Sequence, residues 1–203
     1  AAKPWVALGY EVWCVDLMHP KGISPITDGI VKVGIDIKHF IPPQPTNEKE
    51  NWAFMQAFPP CDHLAVSGRA WFHGKGLHLL AQSIENVARS AEIGQSLGCR
   101  YFIENPISTL STYWRPADYT FHPYEYALYR SDPRRDSYTK KTCIWASEHF
   151  IMPPKKPVSF EQIDHAKINH HNRSPYQRAL SPLGFCLAVA QYNHREIKKE
   201  RLK

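Results

Sequence analysis

LHLLAQSIENVARSAEIGQSLGCRYFIENP, residues 77–106, is the stretch that decides the predicted fold. Its apolar residues recur in steps of three and four, the spacing of one buried helix face: Leu77, Leu80, Ile84, Val87 and Ala91. Gly98 is the expected end of this helix. Arg100–Glu104 then forms a short apolar strand that runs into Asn105-Pro106. Because a helix leads directly into a strand, the stretch predicts an α/β fold.

Further strands and helices are predicted on both sides of this unit. The strands are expected at Tyr10–Leu17, Ile30–Ile37, Trp52–Phe58 and Thr142–Ala146. One helix is expected over residues 1–8, closed by Gly9, and another after Ser181-Pro182, with Pro153–Pro175 as a loop. Apolar strands that alternate with helices indicate a parallel sheet covered on both faces. Such sheets bind ligands beyond the carboxyl ends of their strands, where the sequence places Asp16, Asp36, Cys61 and Glu104.

Composition narrows the classes of partner and compartment. The 203 residues fit one domain, and a net charge of +6 favours a polyanionic partner. The five cysteines include no Cys-x-x-Cys pair, so we expect no zinc site and a reducing compartment. His165, His170 and His171 also lack a regular metal-ligand spacing. No apolar run is long enough for a membrane span, so we expect none.

Cys61 is the candidate nucleophile. It follows an apolar strand and Pro59-Pro60, whose rings stiffen the loop that would present a thiol to a substrate. A thiol can act as a nucleophile where its pKa is lowered. The alternative is a buried structural cysteine, the more common fate of a free thiol.

Glu104-Asn105 is the second candidate element. A protonated glutamic acid can donate to a ring nitrogen, and an amide can both donate and accept, so together they can bind the edge of a base. The alternative is structural, because Asn105-Pro106 is also a sound N-cap and first-turn pair for a helix.

Together these elements resemble motifs IV and VI of the cytosine-5 DNA methyltransferases, in particular a small phage type. The matching strings are Phe58-Pro59-Pro60-Cys61-Asp62-His63-Leu64-Ala65-Val66-Ser67-Gly68, Phe102-Ile103-Glu104-Asn105-Pro106, Lys140-Lys141-Thr142-Cys143-Ile144-Trp145 and Ser181-Pro182-Leu183-Gly184-Phe185. The resemblance covers roughly residues 1–193 in the expected order. It implies a Rossmann-like, parallel-type sheet, with residues 1–110 and 137–203 as the catalytic domain and 111–136 as a small irregular target-recognition insertion.

The resemblance also implies a role for each matching residue in the reaction. Cys61 would add to carbon 6 of a flipped cytosine, and Glu104 would hydrogen-bond its ring nitrogen 3. Carbon 5 would then take the methyl group of S-adenosylmethionine. Asn105 resembles the residue that positions the Cys61 loop, Pro106 follows it at the substrate, and Lys141 falls where the family has an arginine.

For the cofactor, the resemblance implies that Asp16 binds the ribose hydroxyls, with Leu17 against the adenine. Asp36 would lie near the adenine amino group, and Phe58 and Pro59 would also contact the cofactor. The expected partner is double-stranded DNA, with no membrane and no protein partner. We expect a monomer in the cytoplasm of a bacterial or phage-infected cell.

Three departures from the family pattern qualify the resemblance. Pro106 replaces the usual valine, Asp62 replaces the usual glutamine, and lysines replace arginines at Lys140-Lys141. Motif I, the strand and Gly-rich turn that bind the methionine part of the cofactor, would precede Ala1. Either this segment belongs before Ala1, or the protein is a degenerate member: a catalytically inactive DNA-binding or decoy homologue. An amino-methyltransferase is a further alternative, although Phe58 and Cys61 depart from its Asn-Pro-Pro-Tyr loop.

Residues 111–136 are rich in aromatic and basic side chains and could contact DNA. Arg115 is the candidate phosphate ligand there, and Arg69 and Lys75 are candidates in the loop after Cys61. The alternative is a packed loop with solvated arginines.

Overall fold

The helix and strand predicted from residues 77–106 form as expected and lie at the centre of the fold. The computed structural model describes residues 1–46, 51–164 and 180–194. The strands are β1 Val12–Val15, β2 Gly22–Ile23, β3 Ile30–Gly34, β4 Phe54–Ala57, β5 Arg100–Pro106, β6 Tyr119–Phe121 and β7 Thr142–Ala146. The α-helices are α1 Lys3–Ala7, α2 Phe72–Lys75, α3 Leu77–Ser96, α4 Leu110–Tyr113 and α5 Leu183–Asn193. Short 3-10 helices form at Ile37–His39, Val66–Trp71, Pro123–Tyr129, Pro133–Arg135 and Phe160–Gln162.

The strands form two mixed sheets, with orders β1-β3-β2 and β4-β5-β7-β6. The α/β class is confirmed, but the prediction of a purely parallel sheet is wrong. β1 is parallel to β3 and β4 to β5, whereas β2 is antiparallel to β3, and β7 is antiparallel to both β5 and β6. The physical reason at β2 is its short connection to β3, residues 24–29, because a parallel crossover needs about a dozen residues or more.

Helices cover both faces of the second sheet. On one face, Phe102 and Ile144 pack with Trp5 of α1 and Phe185 of α5. The other face of the same strands carries Ile103, Cys143 and Trp145, which pack with Val87 and Ala91 of α3. This double burial explains why β5 and β7 are nearly continuous apolar runs rather than alternating ones.

β1 and β4 lie at neighbouring edges of the two sheets without pairing. Val12 and Phe54 belong to one apolar cluster, and Trp13 and Met55 belong to another on the opposite face. Among the described residues, β1 pairs only with β3, and β4 only with β5. The sequence predicts that four strands end at one edge of a single sheet. In the structure, the ends of β1 and β3 lie in one sheet and those of β4 and β5 in the other.

The ends of the helices agree with the sequence in part. Gly98 follows α3 with a φ of +60° and Gly9 follows α1 with a φ of +87°, conformations that favour glycine. At α5 the cap is Pro182 rather than Ser181, because the Asp136 carboxylate accepts a hydrogen bond from the Gly184 amide at 2.7 Å. The Asp136 side chain, distant in sequence, thus caps the first turn of α5 in place of Ser181, the N-cap that the sequence predicts.

Residues 111–136 pack into the second sheet. They supply β6 to its edge, and Tyr126 is fully buried against Phe121 and Phe185. Phe121 and Tyr126 thus belong to the core, whereas Tyr113, Trp114 and Tyr119 of the same segment are exposed. No helix in the described parts of the chain combines the length and apolarity that a membrane crossing requires.

Candidate active site

The Cys61 loop leaves β4 and turns sharply. The Cys61 carbonyl accepts hydrogen bonds from the amides of Leu64 at 3.0 Å and Ala65 at 2.8 Å. Phe58 contacts the ring of Phe102 edge-on, with centroids 5.9 Å apart. The thiol is free and half-buried, so it is neither a core cysteine nor a surface one. The loop can therefore present Cys61 to a substrate at the carboxyl end of β4.

Asn105 ties this loop to β5. Its side chain is fully buried, and Nδ2 donates to the Pro59 carbonyl oxygen at 3.2 Å. Asn105 pairs with Cys143 inside the sheet, so the alternative of a helix N-cap at Asn105-Pro106 is wrong. Its Oδ1 has no hydrogen-bond partner among the described residues. The fold thus buries an incompletely satisfied amide where it holds the Pro-Pro-Cys loop.

Glu104 and Cys61 share one electrostatic environment. Burial raises the pKa of the Glu104 carboxyl above its ordinary value, and Lys140 opposes the rise. Burial also raises the pKa of the Cys61 thiol, Asp62 and Glu104 raise it further, and Lys140 again opposes the rise. A raised pKa suits Glu104 as a proton donor to a ring nitrogen. The raised pKa favours the protonated form of the Cys61 thiol.

Lys140 is the residue that sequence reasoning missed. Glu104 lies opposite Ile144 in the β5–β7 ladder, so these side chains share a face, and the charge of Lys140, two residues before β7, acts on Glu104. Burial raises the pKa of the Cys143 thiol, and Lys141, which is exposed, opposes this rise. Lys140 is therefore the lysine whose charge acts on both Glu104 and Cys61. The two lysines are adjacent and alike, so nothing in the sequence separates them.

Asp16 and Asp36 lie at the carboxyl ends of the adjacent parallel strands β1 and β3, as predicted. Asp16 Oδ1 accepts from the Met18 amide at 2.8 Å, and Asp36 Oδ1 accepts from the Lys38 amide at 3.0 Å. The second oxygen of each carboxylate takes no part in these hydrogen bonds, although Asp36 Oδ2 lies 3.8 Å from Lys38 Nζ. Leu17 is 71% exposed beside Asp16, so its apolar side chain can lie against a planar ring. These residues fit the ribose and adenine of a nucleoside cofactor.

Two cavities flank the sheets. One of about 420 Å³ opens beside Ile35, next to Asp36, and has a largely apolar lining that includes Trp13, Phe40 and Ile41. The larger one, about 560 Å³, is lined by Arg100 and other residues at the amino end of β5, the opposite end from Glu104. Of these two cavities, the smaller is the one near candidate site residues.

The residues predicted to contact DNA lie in different surroundings. The Arg115 guanidinium donates to both oxygens of Asp118 at 2.7 Å and to the Ala146 carbonyl at 3.1 Å, near the end of β7 away from Lys140. Its contacts are those of a structural brace. Arg69 is exposed on the loop after Cys61, and Lys75 Nζ donates to the Asp62 carbonyl, closing that loop. Pro106 ends β5 directly after Asn105.

Across residues 1–46, 51–164 and 180–194, no group of three or more metal-ligating side chains comes together. His165, His170 and His171 lie outside the described residues. The chain matches no protein-family model, no curated protein and no solved structure. Support for a function therefore comes from the geometry of the site.

Proposed function

We propose that this protein is a DNA (cytosine-5) methyltransferase in which Cys61 is the nucleophile and Glu104 the acid. The observation that carries the proposal is the hydrogen bond from Asn105 to Pro59, which holds the Cys61 loop beside the strand that bears Glu104. A simple core cysteine would not need a buried amide to position its loop. The half-buried thiol and the raised pKa of Glu104 add to this support.

The chemistry follows from these two groups. The Cys61 sulfur bonds to carbon 6 of a flipped cytosine, the proton of the thiol passes to solvent, and the opened double bond places its electrons on carbon 5. Ring nitrogen 3 accepts the Glu104 proton, so negative charge does not accumulate on the ring. S-adenosylmethionine, held by Asp16, Leu17 and Asp36, would supply the methyl group that carbon 5 takes. A base in solvent takes the carbon 5 proton, the double bond between carbons 5 and 6 re-forms as the Cys61 sulfur leaves as a thiolate, and nitrogen 3 returns its proton to Glu104.

The two sheets are proposed as parts of one Rossmann-like fold. Strands β3 and β1 would continue the order β4-β5-β7-β6, because the apolar clusters on both faces bridge β1 and β4. The carboxyl ends of β1 and β4 would then lie at one edge, which is where such folds bind nucleotides. The substrate would be double-stranded DNA and the setting the cytoplasm, with the protein acting as a monomer.

The break between β1 and β4 favours a second candidate function, DNA binding without methyl transfer. The cofactor would bind at the edge where these strands do not pair, so its site is less complete than that of cytosine. Calorimetry with S-adenosylmethionine discriminates the two candidates. Heat of binding that is lost in Asp16→Ala favours the methyltransferase, and its absence favours the binding protein.

The central test is formation of a covalent bond between Cys61 and DNA. The probe is a pool of duplexes with randomised flanks around one 2-pyrimidinone base, an analogue that accepts a thiol at carbon 6 and needs no cofactor. We expect a complex that survives denaturation and is lost in Cys61→Ser. Cys14→Ser is the matched control, since Cys14 is also free and partly buried. Failure of the wild-type protein to form the complex contradicts the proposal, as does a complex that persists in Cys61→Ser.

A further inference from the structure

An exposed pair of apolar side chains, Val66 and Ile107, lies where the Cys61 loop meets the end of β5. The Val66 amide donates to the Ile107 carbonyl at 2.9 Å, and Ala65 forms a β-bridge with Ser108. In this short antiparallel ladder Ala65 and Ser108 are buried, whereas Val66 is 42% and Ile107 is 46% exposed. The ladder therefore holds two apolar side chains out into solvent side by side.

Both catalytic segments lead directly to this pair. The turn closed by the Cys61 carbonyl ends at Ala65, one residue before Val66. Ile107 follows Glu104 by three residues, a span of about 10 Å along an extended chain. A base bound at Cys61 and Glu104 would leave its duplex next to these side chains. Their position is fixed by backbone hydrogen bonds, so they move little relative to the two catalytic groups.

The surroundings indicate which partner covers the pair. The 3-10 helix that begins at Val66 bears the exposed Arg69, and the chain as a whole carries a net charge of +6. Two side chains offer too little area for a stable protein interface, which takes roughly 800 Å² from each partner. Apolar side chains beside a cation suit the bases and phosphates of a nucleic acid duplex, where isoleucine and similar residues insert between base steps.

We propose that Ile107, supported by Val66, is the wedge that enters the base stack and occupies the place of the flipped cytosine. This inference rests on the proposed function, since it needs a base that leaves the duplex for Cys61. By filling the gap, Ile107 favours the flipped state over the stacked one. It does not touch the reacting atoms, so a base that is already unpaired gains little from it.

The test compares two substrates that differ only in the cost of flipping. In one, the 2-pyrimidinone base lies opposite guanine, and in the other it lies opposite an abasic site. We expect Ile107→Ala to slow formation of the Cys61 complex on the first duplex by about tenfold or more, because unstacking a base step costs a few kcal/mol. On the second duplex its rate should stay within about twofold of wild type, because little unstacking remains to be offset.

The control is Ile151→Ala, since Ile151 has a similar exposure of 41% but contacts Asn193 at the far end of α5. It should behave as wild type on both duplexes, and Ile107→Met should retain the wild-type rate. An Ile107→Ala protein as fast as wild type on the paired duplex overturns the wedge and leaves the proposed function intact. An equal loss on both duplexes overturns it too, because the defect would lie in the site. If the wild-type protein forms no complex with either duplex, the proposed function itself fails.

Discussion

Replacing Asn105 with leucine separates the positioning of the Cys61 loop from the stability of the fold. Leucine is branched at Cγ as asparagine is, so it can occupy the same fully buried position with a small adjustment for its larger volume. It cannot donate to the Pro59 carbonyl, so the loop loses the 3.2 Å hydrogen bond that ties it to β5.

The magnitude follows from the two halves of the Asn105 amide. Loss of the hydrogen bond from Nδ2 costs about 1 kcal/mol, and Pro59 is partly exposed, so its carbonyl can bind water instead. The Oδ1 atom has no partner among the described residues, and removing such a buried group recovers about 1–3 kcal/mol. The larger volume of leucine offsets part of this gain, so we expect the free energy of unfolding to change by no more than about 2 kcal/mol in either direction. Formation of the Cys61 complex should slow by roughly 10- to 100-fold, because the nucleophile is no longer held in place.

The assay combines urea unfolding with the rate of complex formation on the 2-pyrimidinone duplex. Asn193→Leu is the matched control, since Asn193 is also fully buried but bonds to the Ile151 amide and carbonyl and to the Val189 carbonyl. Its replacement breaks three hydrogen bonds and should cost about 2–4 kcal/mol. Asn193 lies with Arg100 at the amino end of β5, so the folded variant should react at the wild-type rate.

Two outcomes would refute the reasoning. If Asn105→Leu reacts as fast as wild type, the tether does not position the nucleophile. If Asn105→Leu loses more than about 2 kcal/mol of stability, Asn105 stabilises the fold, and burying its Oδ1 without a hydrogen-bond partner does not have the assumed cost.

Two further predictions concern charge at the site. Lys140→Met should slow complex formation by about tenfold or more, because it removes the positive charge beside both Cys61 and Glu104. The adjacent Lys141→Met should change the rate by less than about twofold, since the charge of Lys141 acts on Cys143 instead, and the reverse ranking would contradict the assignment. The raised pKa of Glu104 means that the folded protein keeps a proton that the unfolded chain loses. Its stability relative to Glu104→Gln should thus be greatest below the ordinary carboxyl pKa of 4.5 and fall as pH rises through the raised pKa. Urea unfolding of both proteins across this range measures the difference, and a difference that is constant with pH would count against a buried acid.

The features that the sequence predicts correctly are those set by residues close together along the chain. The helical spacing from Leu77 to Ala91 and the apolar run Thr142–Ala146 each predict an element that the structure confirms. Asp16, Asp36 and Cys61 follow their strands as expected, because a strand ends where its apolar residues give way to polar residues or prolines. The candidate site residues could be named on this basis, although their role in catalysis stays a prediction.

Tertiary structure alone decided the direction of the strands and the faces of their residues. The local sequence Asn105-Pro106 is compatible with a helix cap and with a strand. Its pairing with Cys143 and Thr142 places it in β5. Lys140 and Lys141 are adjacent and alike in sequence, and only the tertiary structure brings the charge of one of them to both Glu104 and Cys61. A sequence specifies the alternation of side chains along a strand, but the hydrogen bonds to a partner strand determine which side faces the site.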